Sequence, residues 1–310
     1  AQGLQADRSR HGCASGPGRD RPHAEASGVR QGLALDAFSH QLELPMNAPT
    51  DDPIDPAVRR EIEQRLDAVE ATNDVRVVMA VESGSRAWGF PSPDSDYDVR
   101  FLYVRPRDWY LSMVPGRDVI EQPIVDEIDL NGWDVRKALG LLLKSNAVVS
   151  EWMRSPIRYR ADDPFVAKLA GLADALLDPR ALAHHYANLG RAASDRWLDR
   201  VDDVPVKKYF YALRPALAVR ALRLNPGVRP PMNLQALIDV CDLPASLIER
   251  IVALVEAKAR TNEMSNGARV PDVEALIADE LGRVSELPAC VLPADAVQRA
   301  SGLFVELVTT

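Results

Sequence analysis

The sequence predicts an α/β segment followed by an all-helical one. Short apolar runs with strand character are confined to residues 76–130. From about Ala161 the pattern turns Ala/Leu-rich and helical, broken at Pro179, Pro205, Pro226, Pro230–Pro231, Pro244 and Pro271. A length of 310 residues fits about two domains. The expected division is a segment over 1–50, an α/β domain over 51–160 and a helical domain over 161–310.

Taken in order, residues 1–45 hold 6 of the 17 glycines and show no sustained period, and the first methionine is Met46. A disordered leader, or upstream sequence read in frame, is the expectation there. Val58, Ile62, Leu66 and Val69 then recur at helical spacing behind a proline suited to a helix start. Arg76–Val81 reads as a buried strand, Glu82–Ser95 as a Ser/Gly/Pro-rich loop, and Tyr97–Val104 as a second strand. Pro123–Leu130 reads as a third strand, with Ile124, Ile128 and Leu130 in alternation, and Trp133–Leu143 as a helix. Ala294–Val308 is expected to be a terminal helix.

Composition narrows the class. A chain 46% hydrophobic and 26% charged is neither collagen-like, coiled-coil nor fully disordered. A net charge of −8 excludes a uniformly basic nucleic-acid coat, though not a local basic groove. Cys13, Cys241 and Cys290 are too few and scattered for a disulfide framework or a Cys-rich zinc site, which fits a reducing cytoplasm. No apolar run approaches the roughly 20 residues that span a bilayer, so no membrane partner is expected. Arg exceeds Lys by 31 to 6, a bias pointing to a GC-rich bacterial genome.

The chemistry lies in Ser83–Leu102, SGSRAWGFPSPDSDYDVRFL. Gly84–Ser85 directly follows a strand. Glycine lets backbone approach an anion, and the N–H groups with the Ser85 hydroxyl can cradle phosphate oxygens. Arg86 adds positive charge there. Asp96 and Asp98 stand at i, i+2 where the next strand begins, which points both carboxylates to one face about 7 Å apart along the chain. Hard oxygen ligands converging beside a phosphate site suit Mg²⁺. A Gly-Ser pair is usually a turn and an Asp-x-Asp usually a solvated loop. The order strand, Gly-Ser, loop, Asp-x-Asp, strand is the informative signal.

This arrangement resembles the DNA polymerase beta superfamily of nucleotidyltransferases. Within it, the chain is similar to the bacterial RNA-repair-pathway (RlaP-type) nucleotidyltransferases. The likeness runs through Gly84–Arg100, Asp129–Asn146 (DLNGWDVRKALGLLLKSN), Glu151–Tyr159 (EWMRSPIRY) and Lys207–Leu222 (KKYFYALRPALAVRAL), most of residues 75–235. The resemblance implies an α/β (α+β) palm with a short mixed sheet, followed by a helical bundle. It implies Mg²⁺-dependent transfer of an NMP group from an NTP, with two metal ions, Mn²⁺ being the alternative. Asp96 and Asp98 would be metal ligands. A third carboxylate is expected from a neighbouring strand. Asp129 is the first choice because it lies between Ile128 and Leu130, with Asp134 next and Asp126 and Glu127 behind. The bland reading of Asp134 is an acid complementing a helix dipole.

In the helical half, Lys207, Tyr211 and Arg214 share one helix face. By analogy with related transferases, Lys207 or Lys208 and Arg214 would meet the triphosphate and Tyr211 a base. A surface Lys pair beside core aromatics is the plain alternative. Asn146 is expected to be a helix C-cap and Trp152 a core anchor. The acceptor could be an RNA end, a protein hydroxyl (AMPylation) or a small molecule. Two further readings stand: a catalytically silent nucleotide- or RNA-binding regulator, and a HEPN-type ribonuclease built on Arg180 and His185.

Overall fold

A computed structural model describes residues 54–114, 116–198, 204–260 and 266–310. The leader expected over 1–50 lies outside the described residues. Helix α1 (Pro56–Asn73) starts where Asp55 accepts the Ala57 N–H at 2.7 Å with Pro56 at the first helical position. Five strands follow: β1 (Arg76–Ser83), β2 (Tyr97–Val104), β3 (Val119–Glu121), β4 (Ile128–Asp134) and β5 (Arg158–Ala161). Between them come α2 (Gly84–Trp88), α3 (Arg107–Tyr110), α4 (Val135–Leu142) and α5 (Ala147–Trp152). The rest is chiefly helical: α6 (Asp163–Ala175), α7 (Pro179–Ala193), α8 (Val206–Leu224), α9 (Leu234–Val240), α10 (Ala245–Arg260), α11 (Pro271–Gly282) and α12 (Ala296–Thr309). Pro215 sits inside α8 without ending it.

The strands form a mixed sheet in the order β3-β4-β2-β1-β5. β1 is antiparallel to β2 and β5, β3 is antiparallel to β4, and β2 and β4 are parallel. Side-chain alternation assigns the faces. Val99, Phe101 and Tyr103 of β2, with Ile128 and Leu130 of β4, pack against Ile62, Leu66 and Val69 of α1. Leu102 and Val104 on the opposite face pack with α4, α5, α6 and α12. A third apolar cluster joins α7 to α11 around Phe210, Leu213 and Leu217 of α8, and Phe90 from the loop after α2 reaches into it. Full burial of each such side chain contributes about 1.5–3 kcal/mol. The described residues fall in one compact unit.

Several sequence expectations need correction. The run Pro123–Leu130 is not one strand. Asp126 and Glu127 take positive φ (52° and 62°), the chain turns, and β4 starts at Ile128 and continues through Trp133 and Asp134. Ile124, placed in one alternation with Ile128 and Leu130, is 61% exposed. β1 runs two residues further than expected, to Ser83, and β5 has no counterpart in the sequence reading. Asn146 starts a helix rather than ending one: its side chain accepts the N–H groups of Val148 and Val149 at the head of α5.

Candidate active site

The parallel register sets Asp98 of β2 directly beside Asp129 of β4. Both point to the same face, as the two-residue alternation of each strand requires. Arg100, two residues beyond Asp98, shares that face and lies between the acids. Its Nη2 donates to Asp98 Oδ1 at 3.0 Å and to Asp129 Oδ2 at 2.7 Å, and its Nη1 donates to the Asp129 carbonyl at 2.8 Å. Asn131 Nδ2 donates to the other Asp129 oxygen at 2.5 Å. Burial pushes the Asp98 carboxyl above its ordinary range, Arg100 pulls it down, and Asp129 and Asp96 push it up again. Asp96 is exposed just before the strand, within electrostatic reach of Asp98.

Gly84 begins α2 opposite Asp98, since Ser83 pairs with Asp98 across β1 and β2. Its φ of 69° is a conformation that side chains rarely adopt. A Cβ there would overlap the Asp98 carboxylate, falling 2.7 Å from its Cγ. The glycine thus leaves room for the acid. The Ser85 hydroxyl donates to Ser95 Oγ at 3.0 Å, which also meets Ser92 Oγ at 2.9 Å. Arg86 donates to the carbonyls of Ser95 (2.6 Å) and Asp96 (3.2 Å) and stacks on Tyr97. In this conformation Ser85 and Arg86 brace the acidic loop. Buried Lys258 of α10 fastens the same loop, donating to the Phe90 carbonyl at 2.8 Å and to Ser92 Oγ at 3.3 Å.

Beneath the site lies Glu82, fully buried on β1, where the sequence predicts the start of a loop. It accepts the Asp98 N–H at 2.8 Å and the Tyr159 hydroxyl at 2.6 Å. Burial raises its carboxyl to about 7, although both hydrogen bonds act to lower it. Asp134 is buried five residues beyond Asp129, caps α4 through the Arg136 N–H and accepts the Tyr110 hydroxyl at 2.8 Å. Its environment is that of a structural cap. Asp126 pairs with Arg65 of α1.

From α8, Lys207 is near enough to Asp98 for its charge to favour the ionised carboxylate. Lys208 lies 5.0 Å from the Tyr211 ring. Arg214 is buried and engaged: it donates to Glu151 at 2.9 Å and to the Met232 carbonyl, and its guanidinium lies 4.1 Å from the Trp88 ring. A cavity of about 440 Å³ opens beside Ser83, walled by Trp88, Trp152, Tyr186, Lys208 and Tyr211 among others. A smaller one, about 290 Å³, lies between α1 and the turn before β4, and neither cavity is lined by Asp96, Asp98 or Asp129. Trp152 is buried against Trp133, with ring centroids 4.3 Å apart. Arg180 spends its guanidinium on the carbonyls of Leu287 and Ser285, while His185 accepts the Ala147 N–H, so this pair serves helix packing here.

Arg100, Glu82, Trp88 and Lys258 were not picked out from the sequence. Only Arg100 carried a usable signal, its i+2 spacing from Asp98.

The family described as "RlaP: RNA repair pathway DNA polymerase beta family" matches residues 58–305, and the chain belongs to that family. A Bacillus subtilis (strain 168) protein, "Uncharacterized protein YcgL", is 40% identical over 229 residues, 74% of this chain and 87% of that protein. The family points to a nucleotidyltransferase, with an NTP as substrate. Among the described residues, no helix is long and apolar enough to cross a membrane.

Proposed function

We propose that the protein moves an NMP group from an NTP to an acceptor, on a polymerase-beta-like palm formed by the five-stranded sheet and overlaid by the helices from α7 onward. The observation carrying this reading is the Asp98–Asp129 pair in register beside Gly84, with Lys207 within electrostatic reach and an aromatic cavity bordered by the adjoining Ser83. The hard-oxygen donors fit Mg²⁺ or Mn²⁺. Among the described residues no three acidic, His or Cys side chains converge ready to hold a metal, and a guanidinium lies between two of the carboxylates, marking a place where positive charge is accommodated. Asp96, Asp98 and Asp129 would hold the metal, which supplies Lewis-acid stabilisation of charge on the attacking and leaving oxygens.

The chain's own groups supply position and charge. Gly84 keeps side-chain bulk away from Asp98. Glu82 fixes the Asp98 backbone from below. Lys207 and Lys208 offset triphosphate charge, which matters because phosphoryl chemistry depends mostly on positioning and electrostatics. The cavity falls in the size range of small-molecule sites, and its aromatic walls suit a nucleobase. Arg214 supports this wall through Trp88 and Glu151 rather than reaching the phosphates.

An RNA end is the acceptor that family membership favours, ahead of a protein hydroxyl or a small molecule. The test offers each α-labelled NTP with Mg²⁺, and RNA ends, protein and buffer as acceptors. Label on RNA supports the full reading. Label on protein redirects it to AMPylation, and label nowhere favours the nucleotide-binding regulator.

A further inference from the structure

The geometry points to Arg100 as a resident cation that occupies the Asp98–Asp129 gap and must withdraw before a divalent metal can enter. The inference rests on these acids being the metal site of the proposed transferase. Three of the pair's four carboxylate oxygens accept a hydrogen bond. Asp129 Oδ2 takes Arg100 Nη2 at 2.7 Å, and Asp129 Oδ1 takes Asn131 Nδ2 at 2.5 Å. Asp98 Oδ1 takes Arg100 Nη2 at 3.0 Å, and Asp98 Oδ2 lies against Gly84. One guanidinium thus bridges two carboxylates, with its side chain 19% exposed.

Mg²⁺ needs oxygens at about 2.0–2.1 Å in near-ideal octahedral geometry. A dication at that distance from either bridged oxygen would sit beside the guanidinium, in partly buried surroundings that screen like charges poorly. Both cannot occupy the gap. The same argument says what can draw Arg100 away. A planar guanidinium binds phosphate oxygens as readily as carboxylates, so an arriving triphosphate offers it an equivalent partner. Arg100 therefore exchanges carboxylates for phosphate as metal and NTP enter. This makes metal binding weak without nucleotide and stronger with it, a reciprocal coupling.

The test is Mn²⁺ titration of the full chain without nucleotide, following free Mn²⁺ by electron paramagnetic resonance, for wild type, Arg100→Gln and Arg100→Lys. Arg100→Gln should bind Mn²⁺ about tenfold or more tightly than wild type, within the usual range of coupling between sites. Arg100→Lys keeps the charge and should stay near wild type. In chelator, Arg100→Gln should melt lower than wild type, and Mn²⁺ should restore it. Arg100→Gln binding no tighter than wild type, or Arg100→Lys gaining as much as Arg100→Gln, overturns the inference. Should Arg100→Gln not fold, the wild-type guanidinium resonance that is lost in Arg100→Lys must move on addition of Mg²⁺ and an unreactive NTP analogue. An unmoved signal is equally fatal. If wild type binds Mn²⁺ tightly and the variant no better, only the role of Arg100 falls. If no form binds Mn²⁺ at millimolar concentration, the metal-dependent reading falls with it.

Discussion

Replacing Gly84 with alanine probes the site by its smallest increment, one methyl group. The left-handed backbone at Gly84 (φ 69°) costs an L-residue about 1–2 kcal/mol. For a chain of this size that corresponds to a melting temperature lowered by about 2–8 °C. The local effect is larger. The added Cβ would stand 2.7 Å from Asp98 Cγ, whereas carbon atoms rest at about 3.5–4.0 Å, so the carboxylate must retreat by about 1 Å. A misplacement of that order in a reacting assembly costs about 10²-fold in rate. Gly89→Ala is the matched control. It has the same backbone strain (φ 88°), but its Cβ would meet the side chain of Asn233 instead of an acid. Both variants should lose similar stability in thermal melts. Only Gly84→Ala should lose about two orders of magnitude in label transfer from α-labelled NTP at saturating Mg²⁺. Gly84→Ala turning over within about threefold of wild type would show that the Asp98 position does not govern the chemistry.

The remaining predictions concern the acids and the cavity. Asp96→Ala should abolish transfer without changing the melting temperature, and full Mg²⁺-dependent activity in this variant would remove Asp96 from the site. Asp129→Asn keeps shape and loses charge, so kcat should fall far more than KM rises; an unchanged kcat would shift the role to another acid. Lys208→Ala should raise the KM for NTP about tenfold or more, the size of a lost charge-assisted bond, and an unaltered KM would place the nucleotide elsewhere. Glu82 gives a pH signature. Burial holds its carboxyl at about 7 in the folded chain, against 4.5 ordinarily, so the native state binds the extra proton between those values. Stability should therefore fall by about 3 kcal/mol as pH rises from about 4.5 to about 7, then level off. Denaturant melts of Glu82→Gln should lack that decline, and an identical pH profile would refute the assignment.

The central strands could be read from the sequence because their signal is local. RVVMAV and YDVRFLYV are apolar enough to announce burial, and Asp96 and Asp98 stand where the second begins. The partner Asp129 could be suggested but not placed, because the parallel register of β2 and β4 is a long-range fact. The alternation Ile124, Ile128, Leu130 crosses a turn, and nothing in PIVDEIDL marks the two positive-φ residues that break it. β5 escaped notice because Arg158 and Arg160 interrupt its apolar character; Arg160 is tied to Glu63, Asp67 and Glu70 on α1, which only the fold brings near. Arg100 is half legible: its spacing from Asp98 is local, but Asp129 reaches its other side only through the β2–β4 register. Ser85 and Arg86 show the converse case. Their motif was legible, yet their hydrogen bonds go to the loop that carries the acids.

The buried ammonium of Lys258 has a practical implication for anyone seeking a minimal working fragment. It reaches from α10, more than 160 residues downstream, to anchor the hydroxyl chain Ser92–Ser95–Ser85 under the acidic turn. Trimming the polypeptide to its strand-rich portion would retain every acid yet unmoor the turn that presents them. The acid-bearing turn is thus secured by a helix that lies outside the sheet and late in the chain.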